Sequence, residues 1–321
     1  MTRPSSVPPP VTAVLDASSR WLPARLGQVE ELLREQGDGY GELLGSDVAT
    51  TLAAGGKRLR PLLVLLCAGT DGGEGAVRAA AAIELVHMAT LVHDDVLDAA
   101  PLRRGLPTIA ATAGRSRATA VGDLLFARAF ALLGEHEDAR AIELLAGASV
   151  SLADGELAQR RDAFDTGISE QRYLERCRLK TATLFECACL LGRDLPALGD
   201  FGARIGLAFQ LLDDVLDVSG PAERTGKARG TDLLDGTVTL PLIVATAADP
   251  SIVATDLRSL DAVAAERLCD RIAATGALEQ VRSRALELVA GAKSQLDSDA
   301  FDAEQRQLLG LVADGVVQRY S

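Results

Sequence analysis

The pentapeptide Asp-Asp-Val-Leu-Asp occurs twice in this 321-residue chain, at Asp94–Asp98 and at Asp213–Asp217. Each copy closes a long apolar stretch rich in Ala and Leu. Three carboxylates in five residues repel one another, and at a helix end they face the negative pole of the dipole. A cation is needed there. On a helix, Asp94 and Asp98 share one face, as do Asp213 and Asp217, while Asp95 is turned away by about 100°. Paired carboxylates suit hard, oxygen-seeking cations such as Mg²⁺, which keeps several waters and takes a few carboxylates plus phosphate oxygens. Two such motifs facing one cavity imply a polyphosphate held through metal. A single acidic cluster is usually a solvated helix end, but two identical copies after apolar helices are hard to explain that way. An EF-hand does not fit, because its Gly and terminal Glu are missing in both places.

The basic residues complement this. Gly55-Gly56-Lys57-Arg58-Leu59-Arg60-Pro61 is a Gly-rich turn entering a helix, where backbone N–H groups and the positive dipole end suit an anion. It is not a Walker A motif, which needs GxxxxGK[ST]. Arg103 and Arg104 follow the first acidic motif, and Lys227 and Arg229 sit in the loop after the second. Of 33 basic residues only Lys57, Lys180, Lys227 and Lys293 are lysine. An acidic motif followed by a basic loop, twice over, is the layout of a site for metal-bound diphosphate.

Helical periodicity dominates and must position these groups. Candidate helices cover residues 13–36, 58–69, 76–98, 118–134, 138–162, 169–191, 197–218, 240–248, 262–275, 277–296 and 303–319. Aromatics are 3% of residues, and strand-type clusters are missing. The stretches around 79–92 and 202–212 are apolar on nearly all faces, so they belong at the centre of a bundle. The expected fold is all-α: a single large helical bundle with central apolar helices around a deep cavity. Residues 1–12, with Pro4 and Pro8–Pro10, are expected to be a disordered tail, and 13–321 one domain. A net charge of -12 argues against nucleic acid and a strongly anionic membrane surface. No apolar run approaches the roughly 20 residues of a bilayer span, so no transmembrane segment is expected, and no signal peptide is recognised. Five scattered cysteines without metal-ligand spacing fit a reducing, cytoplasmic setting.

The segments GGKRLRP (55–61), IELVHMATLVHDDVLD with LRRGLPT (83–108), GDLLFARA (122–129), LKTATLF (179–185), GLAFQLLDDVLDVSG (206–220) and TGKARGTDLLDGTVTLPL (225–242) stand in one order. In that combination the chain resembles the trans-prenyltransferases, the polyprenyl diphosphate synthase family of isoprenoid synthase type I. The resemblance covers nearly the whole chain beyond residue 15 or so.

It implies that Asp94 and Asp98 hold two Mg²⁺ ions and Asp213 a third, with Asp95, Asp214 and Asp217 supporting them. Arg103, Lys180 and Lys227 would contact the diphosphate of an allylic substrate. Lys57, Arg60, His87 and Arg104 would bind that of isopentenyl diphosphate, and Thr181 and Gln210 would lie near the reacting carbons. The allylic diphosphate ionises, the double bond of isopentenyl diphosphate attacks, and a proton is lost to the released diphosphate. Small residues at Ala89 and Thr90, one turn above the first motif, leave the product tunnel open for a medium-to-long polyprenyl diphosphate. The resemblance also suggests a homodimer. His93 is expected in the core, Glu156 in a structural role, and Phe209 near the hydrocarbon or in the core. One departure stands out: Thr237 occupies a position where the family usually has Lys. The rival readings are a class I terpene cyclase and a regulatory, non-catalytic subunit.

Overall fold

The computed structural model describes residues 9–18, 20–37, 40, 44–53, 56, 58–103, 105–136, 138–220 and 229–318. Helices carry the fold. At the N-terminal end are α1 (Pro9–Ala17), α2 (Leu22–Glu35), α3 (Ser46–Ala53) and α4 (Leu59–Ala68). The middle is built from α5 (Gly73–Leu97), α6 (Ile109–Ala113), α7 (Arg115–Gly134), α8 (Ala139–Asp162), α9 (Glu170–Cys177), α10 (Thr183–Gly192) and α11 (Pro196–Ser219). The remainder comprises α12 (Thr231–Leu234), α13 (Leu240–Ala248), α14 (Ala262–Ala274), α15 (Ala277–Ser294) and α16 (Ala303–Gln318).

The 13–36 segment, expected as one helix, breaks between Ala17 and Leu22, where α2 restarts with Pro23 in its first turn. Proline is tolerated there because that N–H has no helical partner. The 169–191 segment is likewise not a uniform helix: Arg178–Ala182 form a π-helical turn between α9 and α10. α3, α6 and α12 escaped the periodicity reading because they span only 8, 5 and 4 residues. So did an antiparallel hairpin, β1 (Leu102–Arg103) with β2 (Leu106–Pro107), which pairs Arg103 with Leu106.

α5 is the spine. Its Ala-rich sequence favours helix, and Ala79–Val86 are buried on every face, as a central helix requires. It packs against α4, α7 and α10, while α11 packs against α10 and α15. α5 is also long and apolar enough to cross a membrane by length and composition, contrary to the expectation that no run approaches that size. Its most apolar window is 72% buried inside the molecule, the mark of a core helix.

Glycines set the closest approaches. A Cβ on Gly206 would lie 2.7 Å from Ala182 Cα, and one on Gly202 2.6 Å from the Phe185 carbonyl oxygen. α11 can therefore lie directly on the π turn and α10. Gly155 does the same for α8, where a Cβ would meet the Lys180 backbone nitrogen at 2.6 Å. His93, expected in the core, is only half-buried: its ring packs on Gly122 and stacks on Phe126, and its Nε2 reaches the exposed Asp123 Oδ1 at 3.2 Å.

Candidate active site

One cavity of about 340 Å³ receives side chains from both acidic motifs: Asp94 and Asp98 from the end of α5, Asp213 and Asp214 from α11. Arg60, His87, Thr90, Arg103, Lys180, Thr181 and Gln210 line the same space. The two helices deliver their C-terminal carboxylates to a shared volume, and the surrounding elements deliver cations to it.

At the first motif, Asp95 turns away as the helical period demands and is buried. Its Oδ1 accepts from Arg103 Nε at 2.7 Å, so it fixes a cation that lines the cavity. Burial raises the Asp94 pKa, while Lys180 and Arg103 work against that rise. Asp98 accepts from Arg160 Nη2 at 2.6 Å. Arg160 Nε in turn donates to Glu156 Oε1 at 2.7 Å, and Glu156 Oε2 accepts from Lys180 Nζ at 2.5 Å. Burial works to raise the Glu156 carboxyl, but Lys180 and Arg160 outweigh it and hold it below its usual range. Glu156 thus links a cavity cation to the first acidic motif. The π turn carries Lys180 and Thr181, and turns of this kind recur at functional sites.

At the second motif, Asp213 is exposed to the cavity and Asp214 is buried. Asp214 accepts hydrogen bonds from the buried Tyr173 hydroxyl and from Gln210 Nε2, the latter at 2.8 Å. Gln210 Oε1 accepts from Thr181 Oγ1 at 2.8 Å. A continuous path of hydrogen bonds therefore runs from Tyr173 through Asp214 and Gln210 to Thr181. Burial holds the Asp214 carboxyl up at about 7. Asp217 does not line the cavity; its Oδ2 accepts from the backbone N–H of Asp232 at 3.2 Å, tying the start of α12 to α11.

The Gly-rich turn divides its arginines by role. Arg58 caps α4 in a left-handed conformation, φ 46°, which a bulky residue rarely adopts. It is held there by Glu30 at 2.6 Å, Glu84 at 2.8 Å and the Leu52 carbonyl at 2.9 Å. Arg60 points to the cavity instead. Its guanidinium lies 4.6 Å from the Phe185 ring centroid, and its buried Nε has no hydrogen-bond partner. Burial pulls this group down to about 10 against the attraction of Glu84. Such a donor is costly to leave unmet, and an anion in the cavity would meet it.

Arg229 departs from the expected pattern. It is spent on the Val218 carbonyl and on Asp270 at 2.7 Å, away from the cavity lining. Lys57, Arg104 and Lys227 lie outside the described residues. Thr90 faces the cavity, whereas Ala89 is fully buried beside it in sequence. Phe209 is in the lining and packs on Phe185 at 5.6 Å. Sequence reasoning missed Tyr173, Arg160 and Arg176 as cavity residues, and read Glu156 as structural without its partners.

Residues 42–268 match the family model for polyprenyl synthetase. The chain belongs to the polyprenyl synthetase family. Component 2 of the heptaprenyl diphosphate synthase of Geobacillus stearothermophilus is 42% identical over 226 residues, which is 67% of this chain and 70% of that protein. A geranylgeranyl pyrophosphate synthase of Geoglobus acetivorans is 34% identical over 307 residues, 91% of this chain and 95% of that one. The polyprenyl synthase of Caulobacter crescentus CB15, crystallised with calcium and isoprenyl diphosphate, superposes with a TM-score of 0.89 at 34% identity. That superposition covers 99% of this chain and 100% of the other. The chain is thus a chain-elongating prenyltransferase in class, and the cyclase reading falls away.

Proposed function

We propose that the chain condenses isopentenyl diphosphate with an allylic diphosphate, with Mg²⁺, to give a medium-to-long polyprenyl diphosphate. The observation that carries this reading is the meeting of both acidic motifs with Arg60, Arg103 and Lys180 in one cavity. Among the described residues no three His, Cys, Asp or Glu side chains form a ready-made metal cage. That suits Mg²⁺, which takes one or two carboxylates and relies on phosphate oxygens for the rest. Asp94, Asp98 and Asp213 would hold it, three ions in all, with Asp95, Asp214 and Asp217 fixing their surroundings. When bound, the metal neutralises charge on the departing diphosphate.

The protein's own groups do the remaining work. Arg103 and Lys180 hold the allylic diphosphate by direct ion pairs, with Lys227. Arg60 and His87 hold the isopentenyl diphosphate, with Lys57 and Arg104. The Thr181–Gln210 pair sits where the two carbon skeletons meet, and Leu91, Leu184 and Phe209 keep water from the allylic cation. The proton lost after coupling leaves with the released diphosphate. The small side chain of Thr90 faces the cavity and leaves room for a growing chain, while Ala89, expected to do the same, is packed in the core behind it.

The same reading takes residues 13–321 as one catalytic domain, cytoplasmic, and assembled as a homodimer. The dimer is supported by an exposed face of α7 made of small residues, Thr119, Ala120, Asp123, Ala127 and Ala131. Val150 and Leu157 are exposed on the adjoining α8. The name of the Geobacillus relative, a component 2, makes a partner subunit the alternative. The experiment is an assay of the purified chain alone with Mg²⁺, isopentenyl diphosphate and a series of allylic primers. Chain elongation supports the reading; cyclised hydrocarbon, or elongation only after a second protein is added, overturns it.

A further inference from the structure

Arg176 is an arginine that neither the acidic motifs nor the Gly-rich turn accounts for. It lies on the last turn of α9, four residues before Lys180, and lines the same cavity. Its side chain is only 4% exposed. One arm is anchored: Nη2 donates to the carbonyl oxygen of Val238 at 2.5 Å. The other is not. Nη1 is buried and has no hydrogen-bond partner. Asp162 Oδ2 stands 3.7 Å from it, beyond hydrogen-bond reach, and is itself buried without a partner. The guanidinium carbon lies 5.4 Å from the centroid of the Tyr173 ring.

A buried guanidinium that is half satisfied is unfavourable unless something completes it. Asp162, its ion-pair partner, is shared with Arg172, whose Nε donates to Asp162 Oδ1 at 2.7 Å, and the Arg176 charge also acts on the buried Asp214. Arg176 is also fastened to the residue next to Thr237, which lines the cavity with a neutral side chain and donates its backbone N–H to Asp232 at 2.8 Å. The fold has a cation adjoining a position that lacks one.

We infer that Arg176 binds the diphosphate of the allylic substrate, supplying from α9 the positive charge that a lysine at position 237 would supply from the loop before α13. This rests on the prenyltransferase reading above. Arginine suits the task because its planar fork can keep one arm on Val238 while the other meets a phosphate oxygen. With Lys180 four residues further on, α9 and the π turn bring two cations to the one cavity. Arg176 is then a binding residue rather than a surface charge folded inward by chance.

The test is a double-mutant cycle on the full chain between Arg176→Met and Thr237→Lys, read as KM for the allylic diphosphate and, separately, for isopentenyl diphosphate. Binding of a non-ionising allylic thiolodiphosphate in Mg²⁺ is measured beside it by calorimetry. Arg176→Met is expected to raise the allylic KM and weaken analogue binding at least tenfold, while the isopentenyl KM moves less than twofold. Thr237→Lys should recover at least half of that loss, and should improve affinity tenfold more in the Arg176→Met background than in the parent. A merely structural arginine would not be replaced by a lysine on another element. Equal effects of Thr237→Lys in both backgrounds, or an unchanged allylic KM in Arg176→Met, overturn the inference. Should Arg176→Met not fold, Arg176→Lys serves, and an allylic KM equal to the parent's with full sensitivity to Thr237→Lys overturns it too. A parent chain that elongates no primer refutes the prenyltransferase reading instead.

Discussion

Lys180 Nζ lies 2.5 Å from Glu156 Oε2, and the same carboxylate accepts from Arg160, whose other arm reaches Asp98. The first acidic motif and the cation facing it are thereby joined through side chains of alternating sign. A diphosphate entering the cavity must share Lys180 with Glu156. Removing the shared carboxylate frees Lys180 and leaves Arg160 held by Asp98 alone. Glu156→Ala is expected to lower kcat/KM for the allylic substrate about tenfold, close to 1.4 kcal/mol of transition-state stabilisation. Steady-state kinetics at varied allylic concentration check this, and an unchanged kcat/KM would show that Lys180 holds its place unaided.

The contact that sets this arrangement is Gly155, one residue earlier. A methyl group there would meet the Lys180 backbone nitrogen at 2.6 Å and its Cα at 2.9 Å. Backbone atoms cannot swing aside as a flexible side chain would. Gly155→Ala should cost about 1–3 kcal/mol of stability, the usual range for overpacking, and should lower activity by displacing the π turn. Urea titration with parallel assays separates the two effects. Gly147→Ala, on the same helix and with nothing within 4 Å of its added Cβ, is the control, expected to gain stability slightly because Ala favours helix over Gly.

The two motifs should not be equivalent residue by residue. Asp94, Asp98 and Asp213 line the cavity, whereas Asp217 braces the start of α12. Asp94→Asn and Asp213→Asn are expected to reduce kcat by roughly 10²–10³-fold, the loss typical of removing one electrostatic stabiliser. Mg²⁺ titrations should show weakened metal affinity in both, with more Mg²⁺ needed for half-maximal activity. Asp217→Asn should cost less than either, and a loss as large as that of Asp94→Asn would place it among the ligands.

Ala89 is completely buried on α5, next to the cavity-lining Thr90. A phenyl ring at 89 would press its packed neighbours against the cavity wall beside Thr90. Ala89→Phe should shorten the product, read by reversed-phase chromatography of the dephosphorylated alcohols with one primer. An unchanged distribution would put the floor of the tunnel on another helix.

The central helices were legible because their signal is local. The apolar stretches within α5 and α11 announce burial from sequence, and each ends in a carboxylate cluster that has to face something. The two-motif cavity follows from those facts. Arg176 was not legible. It stands in the run Glu170 to Arg178, where charges of both signs read as a solvated helix face, and only tertiary packing against Val238 and Asp162 reveals that it is buried. The bond between Tyr173 and Asp214 was hidden for the same reason, since 41 residues separate its partners. The π turn was invisible because its five residues, Arg178–Ala182, are too short a stretch for the apolar period to register the change. The break at Ala17–Leu22 had a local sign, Pro23, which the longer period of 13–36 masked.

Arg58 gives the N-terminal helices a part in affinity that their distance from the substrate would not suggest. Its left-handed backbone persists because Glu30 on α2 and Glu84 on α5 grip one guanidinium together. Arg60 is two residues further along, and its aim depends on that grip. Shaving the carboxylate from Glu30 should therefore slacken the corner and weaken capture of the isopentenyl unit, though Glu30 itself never meets it. Variation in the amino-terminal third of related chains would then tune substrate uptake from outside the catalytic chamber.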